Sequence, residues 1–158
     1  MNIKRFFDMP NGNTFEIPVI KKFVEKDVFE IRNRGGIIVD PFANRCKYGT
    51  ITNDLNPEFN TDYNMDALEF LKSMENNFAD LILFDPPYSI SQASQLYKNY
   101  GKEKLEVNVS NMKYWSSCKD NIKRICKLGG IVLCFGWNSN GLGKNRGFEM
   151  TDLLLVHH

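Results

Sequence analysis

Short apolar runs alternate along this chain with segments in which apolar residues recur every three or four positions. Such runs are typical of buried strands, and the recurring spacing is typical of helices with one apolar face. The predicted strands cover residues 37–39, 50–53, 79–84, 131–135 and 152–156, and the predicted helices lie near residues 18–34, 65–74 and 115–126.

Proline and glycine mark the ends of the predicted helices. Pro18 suits the first turn of the first helix, because the N–H groups at that end have no partner within the helix. Gly35 and Gly36 follow its apolar stripe and are expected to break it. We expect Gly129 and Gly130 to cap the last helix in the same way.

Strands that alternate with helices predict an α/β fold, with a mostly parallel sheet and helices on both of its faces. A chain of 158 residues can bury a sizeable core within one domain. No internal repeat, low-complexity tract or linker divides the sequence. Residues 1–158 are therefore predicted to form a single domain.

Three acidic residues stand where predicted strands end. Asp40 follows the first strand, Asp54 follows the second, and Asp85 follows the strand at residues 79–84. Open α/β sheets bind ligands beyond the carboxyl ends of their strands. The sequence therefore predicts a ligand cleft at this edge of the sheet.

The most informative motif is Asp85-Pro86-Pro87-Tyr88. Two consecutive prolines must end the strand, because each fixes φ and lacks an N–H donor. An acid and an aromatic ring are thereby held on a stiff turn at the edge of the predicted cleft. The plain alternative is a strand end followed by a surface turn.

Composition and charge narrow the classes of function. The net charge is +1, but residues 50–88 carry eight acids against one base, and residues 89–147 carry ten bases against three acids. Such asymmetry favours a face for a polyanion beside a face for a cationic ligand.

None of the four cysteines forms a Cys-x-x-Cys pair, and the two histidines are the last two residues, so we expect no metal site and reduced thiols. The sequence has no recognisable signal peptide or apolar run of membrane-spanning length, which predicts a cytoplasmic protein that does not cross a membrane.

Asp54 and a further acid, Asp66, suggest a nucleoside ligand. Asp54 lies where a Rossmann-like fold places a carboxylate against ribose hydroxyls, and a carboxylate can accept from both hydroxyls. The loop at residues 41–46 contains no glycine, which disfavours a dinucleotide and leaves a cofactor without phosphates. Asp66 is placed to accept from the amine of an adenine ring, or to cap the helix that follows, or both.

The sequences Asp40-Pro41-Phe42, Asp54-Leu55-Asn56-Pro57, Asp66-Ala67-Leu68 and Asp85-Pro86-Pro87-Tyr88 occur in that order. In this arrangement the chain resembles the S-adenosylmethionine-dependent amino-methyltransferases of DNA, and most closely the small adenine-N6 enzymes of phages and mobile elements. The resemblance extends over essentially the whole chain. It implies a Rossmann-like class I methyltransferase fold, with catalytic residues Asp85, Pro86, Pro87 and Tyr88 and cofactor-binding residues Thr14, Phe15, Asp40, Pro41, Phe42, Asp54, Leu55, Asp66 and Ala67.

The resemblance also implies a mechanism. The Asp85 carboxylate and the Pro86 carbonyl would accept the two hydrogens of an exocyclic amine and aim its lone pair at the methyl group of S-adenosylmethionine. Tyr88 would stack on a base flipped out of DNA, and no metal would be needed.

The chain departs from the family in two places. The usual Phe-x-Gly-x-Gly is here Phe42-Ala43-Asn44-Arg45-Cys46. No counterpart of the family's last strand follows the strand at residues 152–156, which leaves open whether that strand is missing or the sheet closes differently.

The sequence offers no separate target-recognition domain, so residues 89–112 and 138–147 are the segments expected to contact bases. Phosphate contacts are predicted for the cations there, which are otherwise ordinary solvated side chains. The predicted nucleic-acid contacts are Lys98, Lys102, Lys104, Asn138, Lys144 and Arg146.

Several alternatives stay open. A cytosine-N4 DNA methyltransferase fits the same motif, because both bases present an exocyclic amine, and an RNA substrate is less favoured. A non-catalytic subunit that binds cofactor or DNA for a larger assembly fits the missing glycines. The sequence is equally compatible with a homo-oligomer and with a partner subunit.

Overall fold

The computed structural model describes residues 1–9, 11–87, 95, 97–100, 112–136 and 138–157. Within these ranges the chain forms helices and parallel strands that lie in two sheets, so the predicted α/β class is confirmed. The elements are β1 (Asn2–Phe7), α1 (Pro18–Asn33), β2 (Ile38–Asp40), β3 (Ile51–Thr52), α2 (Ala67–Ser73), β4 (Ala79–Phe84), α3 (Met112–Ile125), β5 (Cys126–Cys134) and β6 (Asp152–His157), with short 3-10 helices at Thr14–Glu16, Pro57–Phe59 and Lys144–Arg146.

The larger sheet has the strand order β3-β2-β4-β5, and every pairing in it is parallel. Val39 of β2 stands at its centre, opposite Ile51 of β3 and Ile82 of β4. Because all four strands run in one direction, their carboxyl ends meet at one edge. The segments that follow β2, β3 and β4 are therefore brought together.

Helices cover both faces of this sheet. Successive strand residues point to opposite faces, so Ile38 and Leu81 pack on the side of α1, with Val24 and Val28. Val39 and Ile82 pack on the side of α2 and α3. The predicted arrangement of helices on both faces is confirmed.

The predicted boundaries hold well for the first two helices. Pro18 occupies the first turn of α1, whose buried stripe ends at Ile31, and Gly35 follows with φ of 71°. Asp66 caps α2, which is shorter than predicted. The buried residues of α2 are Ala67, Phe70 and Leu71.

The predicted glycine cap of the last helix is wrong. Helix α3 ends at Ile125 and β5 begins at once at Cys126, so Gly129 and Gly130 lie inside a strand. Ala79 pairs with Cys126 but Leu81 pairs with Ile131, which means that β5 bulges between these two pairs. Gly129 has φ of 76°, and a Cβ on Gly130 would lie 2.8 Å from the Cys126 sulfur. The bulge, rather than a helix end, requires this glycine pair.

The last predicted strand exists but has an unexpected partner. Among the described residues, β6 pairs in parallel with β1 in a separate two-stranded sheet, with Ile3 opposite Leu153 and Arg5 opposite Leu155. The sequence analysis assigned no strand to β1. Leu154 of β6 packs against the core on the α1 side.

Candidate active site

A cleft of about 980 Å³ opens at the carboxyl ends of β2, β3 and β4. This volume is at the upper end of the range for small-molecule sites. Its walls come from the loop after β2, the end of β3, the turn after β4 and the segment before α1. The predicted site residues that line it are Thr14, Phe15, Pro41, Phe42, Asp54, Leu55, Ala67, Asp85, Pro86 and Pro87.

Asp54 lies on the cleft wall and is held by backbone N–H groups. One carboxylate oxygen accepts from the backbone N–H of Asn44 at 2.8 Å, and the other accepts from the N–H of Asn56 at 2.9 Å. Burial raises the pKa of Asp54, and the N–H groups of Asn56 and Asn44 oppose that rise. A carboxylate offers about four acceptor positions, so Asp54 keeps acceptor capacity for a ligand.

Asn44 lets the loop after β2 turn without glycine. Its φ is 49°, in the left-handed region that glycine adopts freely and that asparagine tolerates better than most residues. Asn44 stands where the family pattern has its first glycine. Its amide nitrogen also donates to the Asn13 side chain at 3.3 Å. The missing glycine is visible in the sequence, and an asparagine at that position is the signal that the turn can still form.

The turn at Asp85-Pro86-Pro87 follows β4 directly and is half-buried. All three residues line the cleft, together with Asp54. Burial is the main cause of the raised pKa of Asp40, and the negative charge of Asp85 adds to it. Tyr88, the fourth residue of the motif, lies outside the described residues.

Asp40 is a buried acid that does not line the cleft. One of its oxygens accepts from the N–H of Phe42 at 3.1 Å, and the other has no hydrogen-bond partner among the described residues. Burial raises the pKa of Asp40 to about 8, with smaller contributions from Asp85 and Asp54. The structure therefore does not bring Asp40 to the surface that its predicted cofactor contact would use.

Asp66 is also withdrawn from the cleft, although its neighbour Ala67 lines it. One Asp66 oxygen accepts from the N–H groups of Leu68 and Glu69, which confirms the helix-cap alternative. The other oxygen accepts from two tyrosine hydroxyls, which the sequence analysis did not anticipate.

Aromatic rings support both sides of the cleft. Phe15 packs edge-on against Tyr48 and Phe135, with ring centroids 5.8 and 5.1 Å apart. Phe42 packs against Phe84 and Trp115 at 5.8 and 6.2 Å. Such pairs are typical of a rigid apolar wall. Thr14 and Phe15, which the resemblance implies as cofactor-binding residues, thus line the same cleft as the strand-end motifs.

Four cations that the sequence analysis missed also line the cleft. Arg32 donates to the backbone carbonyls of Lys47 and Tyr48, which ties the loop to α1. The Arg45 guanidinium lies 5.9 Å from the centroid of the Phe59 ring. No sequence signal sets these residues apart from ordinary surface cations. The four are Lys21, Arg32, Arg45 and Lys47.

The predicted nucleic-acid residues fall into three groups. Lys98, Asn138 and Lys144 are exposed, whereas Lys102 and Lys104 lie outside the described residues. Arg146 donates to Asp120 and to the Leu142 carbonyl, both at 2.8 Å, and to Ser116. Its side chain therefore fastens its loop to α3, which is a different task from the predicted phosphate contact.

The four cysteines are free thiols. Burial raises the pKa of Cys46, which lines the cleft, to about 12, so it carries little thiolate near neutral pH. In the described part of the chain, no group of three or more His, Cys, Asp or Glu side chains is arranged to hold a metal ion. A search of the described helices finds none that is both long and apolar enough to cross a membrane.

No family model matches the chain, and a search of curated proteins gives no match.

Proposed function

We propose that this chain is an S-adenosylmethionine-dependent methyltransferase that acts on the N6 amine of adenine in DNA. One observation carries the proposal: the Asp85-Pro86-Pro87 turn and Asp54 line the same cleft, at the carboxyl ends of neighbouring parallel strands. A nucleoside cofactor and an amine acceptor need such adjacent positions. The parallel sheet with helices on both faces is compatible with the Rossmann-like class I methyltransferase fold that we propose, in a single domain.

The residues on one side of the cleft fit a nucleoside without phosphates. Asp54 retains acceptor positions for ribose hydroxyls beyond the two backbone N–H groups that it binds. Phe15, Leu55 and Ala67 supply an apolar lining for an adenine ring. The loop after β2 has no glycine-rich phosphate cradle, which agrees with a cofactor that carries none. S-Adenosylmethionine, when bound, would supply an activated methyl group.

The turn after β4 fits an amine acceptor. An exocyclic amine is a weak nucleophile, because its lone pair is delocalised into the ring. We propose that the Asp85 carboxylate and the Pro86 carbonyl accept its two hydrogens and orient the lone pair towards the cofactor side. Holding two reactants in such an attack geometry is worth about 7–11 kcal/mol of the barrier. Because duplex DNA hides the amine, the base must leave the stack at a cost of a few kcal/mol.

Single-molecule sequencing of unmethylated plasmid DNA, after incubation with protein and S-adenosylmethionine, tests the proposal. We expect N6-methyladenine at a defined sequence, and its absence with the Asp85→Ala variant. N4-Methylcytosine instead would favour the cytosine alternative. Cofactor binding by calorimetry without methylation of DNA would favour a non-catalytic subunit, and binding of neither cofactor nor DNA would overturn the proposal.

A further inference from the structure

Asp66 is the centre of a buried polar cluster beside the cleft. Its outer oxygen accepts from the Tyr97 hydroxyl at 2.5 Å and from the Tyr114 hydroxyl at 2.7 Å. The two hydroxyls lie 3.0 Å apart. Asp66, Tyr97 and Tyr114 are 7%, 5% and 6% exposed, so all three are buried. Burial raises the pKa of both tyrosines, which keeps them as hydroxyl donors.

The acceptor capacity of Asp66 is used up within the chain. A carboxylate has about four lone-pair positions. Two are taken by the N–H groups of Leu68 and Glu69, and two by the hydroxyls of Tyr97 and Tyr114. No acceptor position of Asp66 remains for the amine of a bound nucleoside while both tyrosine hydrogen bonds are present.

The cluster joins a cleft wall to the core. Tyr97 lines the cleft, as Gln95 and Tyr100 do, in the chain segment that follows the Asp85-Pro86-Pro87 turn. Asp66 is fixed by its cap on α2, and Tyr114 belongs to α3. These two helices pack against each other under the sheet. Tyr97 is therefore held from two rigid elements at once.

We propose that Asp66 is a positioning residue, which through Tyr97 holds the cleft wall beside the turn that receives the substrate base, and does not contact the bound nucleoside. The assignment of that base site rests on the proposed function. The role differs from a simple helix cap, because the cap uses one oxygen of Asp66 and the tyrosines use the other. Charge-assisted hydrogen bonds of this kind are about twice as strong as neutral ones.

Asp66→Asn and Tyr97→Phe separate this role from the alternatives. Asparagine is as good a helix cap as aspartate, but with its oxygen on the cap it turns an NH2 group towards the tyrosines, so neither hydroxyl can donate to a charged acceptor there. Tyr97→Phe removes one hydroxyl while keeping the ring. Tyr63→Phe is the control, because Tyr63 is partly exposed and does not line the cleft. The readouts are the calorimetric Kd for S-adenosylmethionine, kcat and KM for DNA, and backbone amide exchange of Tyr97–Tyr100 in the free protein.

We expect both variants to keep the cofactor Kd within about threefold and to lose at least about tenfold in kcat/KM for DNA. Amide exchange of residues 97–100 should rise in both variants and stay unchanged in Tyr63→Phe. The double variant should lose no more kcat/KM than Asp66→Asn alone, because both changes remove the same hydrogen bond, from the Tyr97 hydroxyl to the Asp66 carboxylate.

Two results would overturn the inference. A cofactor Kd at least tenfold weaker in Asp66→Asn but unchanged in Tyr97→Phe would place Asp66 against the cofactor. Amide exchange equal to wild type in both variants would show that the cluster holds nothing in place. The exchange measurement needs neither cofactor nor DNA, so it decides the role of Asp66 even where the wild-type chain transfers no methyl group and the proposed function fails.

Discussion

The backbone N–H of Asn44 donates to the Asp54 carboxylate at 2.8 Å, and this bond ties the loop after β2 to the end of β3. Asn44 can point its N–H at Asp54 because its backbone is in the left-handed region. The loop that lines the cleft after β2 is thus held in place without the glycines of the methyltransferase pattern that the sequence resembles. The same carboxylate that closes this loop keeps free acceptor positions for a ligand.

The first prediction concerns the backbone of Asn44. Asn44→Gly should leave the free energy of unfolding nearly unchanged, since glycine adopts a φ of 49° at little cost. Asn44→Ala should lower it by about 1–2 kcal/mol, because a Cβ without a compensating polar group disfavours that conformation. Urea unfolding of the two variants beside wild type measures the difference. Equal stability of the glycine and alanine variants would contradict the assigned conformation.

Asp54→Ala should weaken cofactor binding more than it slows turnover at saturating cofactor. The ribose hydroxyls would lose a charged acceptor, and hydrogen bonds to charged groups contribute about 1.5–3 kcal/mol, so the Kd should rise at least about tenfold. Calorimetry with S-adenosylmethionine measures this change. Glu75→Ala, which removes an exposed acid outside the cleft, is the control. An unchanged Kd in Asp54→Ala would exclude the proposed ribose site.

Asp85→Ala should have the opposite profile. Cofactor affinity should stay within a few-fold of wild type, whereas methyl transfer should fall below a tenth of the wild-type rate. The loss combines a charge-assisted hydrogen bond with the alignment of the amine lone pair. Single-turnover transfer of a radiolabelled methyl group to DNA measures the rate. A variant that retains more than a tenth of the activity would sink the assignment of Asp85.

The pH dependence of stability should show the burial of Asp40. Its folded-state pKa is about 8 against an ordinary value of 3.8, so the folded state binds this proton more tightly than the unfolded chain does. The stability that protonation contributes is complete below about pH 4 and is lost progressively as the pH rises to about 8, by up to about 1.4 kcal/mol per pH unit. The Asp40→Asn variant lacks this pH-dependent contribution, because its amide does not titrate.

Urea unfolding at pH 5 and pH 7.5 tests this expectation. The Asp40→Asn variant should gain stability relative to wild type as the pH rises, whatever the cost of its buried amide at either pH. Glu75→Gln should follow wild type at both values. A difference between Asp40→Asn and wild type that does not change with pH would mean that Asp40 is ionised throughout.

Lys144 and Arg146 should behave differently towards DNA. Lys144 is exposed, so Lys144→Ala should lower the salt dependence of DNA binding by about one phosphate contact. Arg146→Ala should leave that slope unchanged but lower the melting temperature, because Arg146 holds its loop to Asp120 and Ser116. Fluorescence anisotropy with labelled DNA at several salt concentrations, together with thermal unfolding, measures both. A reduced salt dependence of DNA binding in Arg146→Ala would show that Arg146 does contact a phosphate.

The sequence by itself determined the features that depend on local spacing. Alternating apolar runs and stripes predicted the strands of the larger sheet and its three helices, since side-chain periodicity follows from backbone geometry. The positions of Asp54 and of Asp85-Pro86-Pro87 at strand ends predicted that they share a cleft, because parallel strands end at one edge. Proline chemistry predicted the start of α1, and the helix-cap alternative for Asp66 is confirmed at the start of α2.

The tertiary structure decided whatever depends on residues far apart in the chain. Tyr97 and Tyr114 are 31 and 48 residues from Asp66, so no local pattern could indicate that they occupy its carboxylate. The pairing of β1 with β6 joins residues 150 positions apart, and the bulge around Gly129 depends on the register against β4. Asp40 and Asp66 are buried away from the cleft, whereas Asp54 and Asp85 line it. The sequence does not show this difference, because the burial of a side chain depends on everything packed around it rather than on its neighbours in sequence.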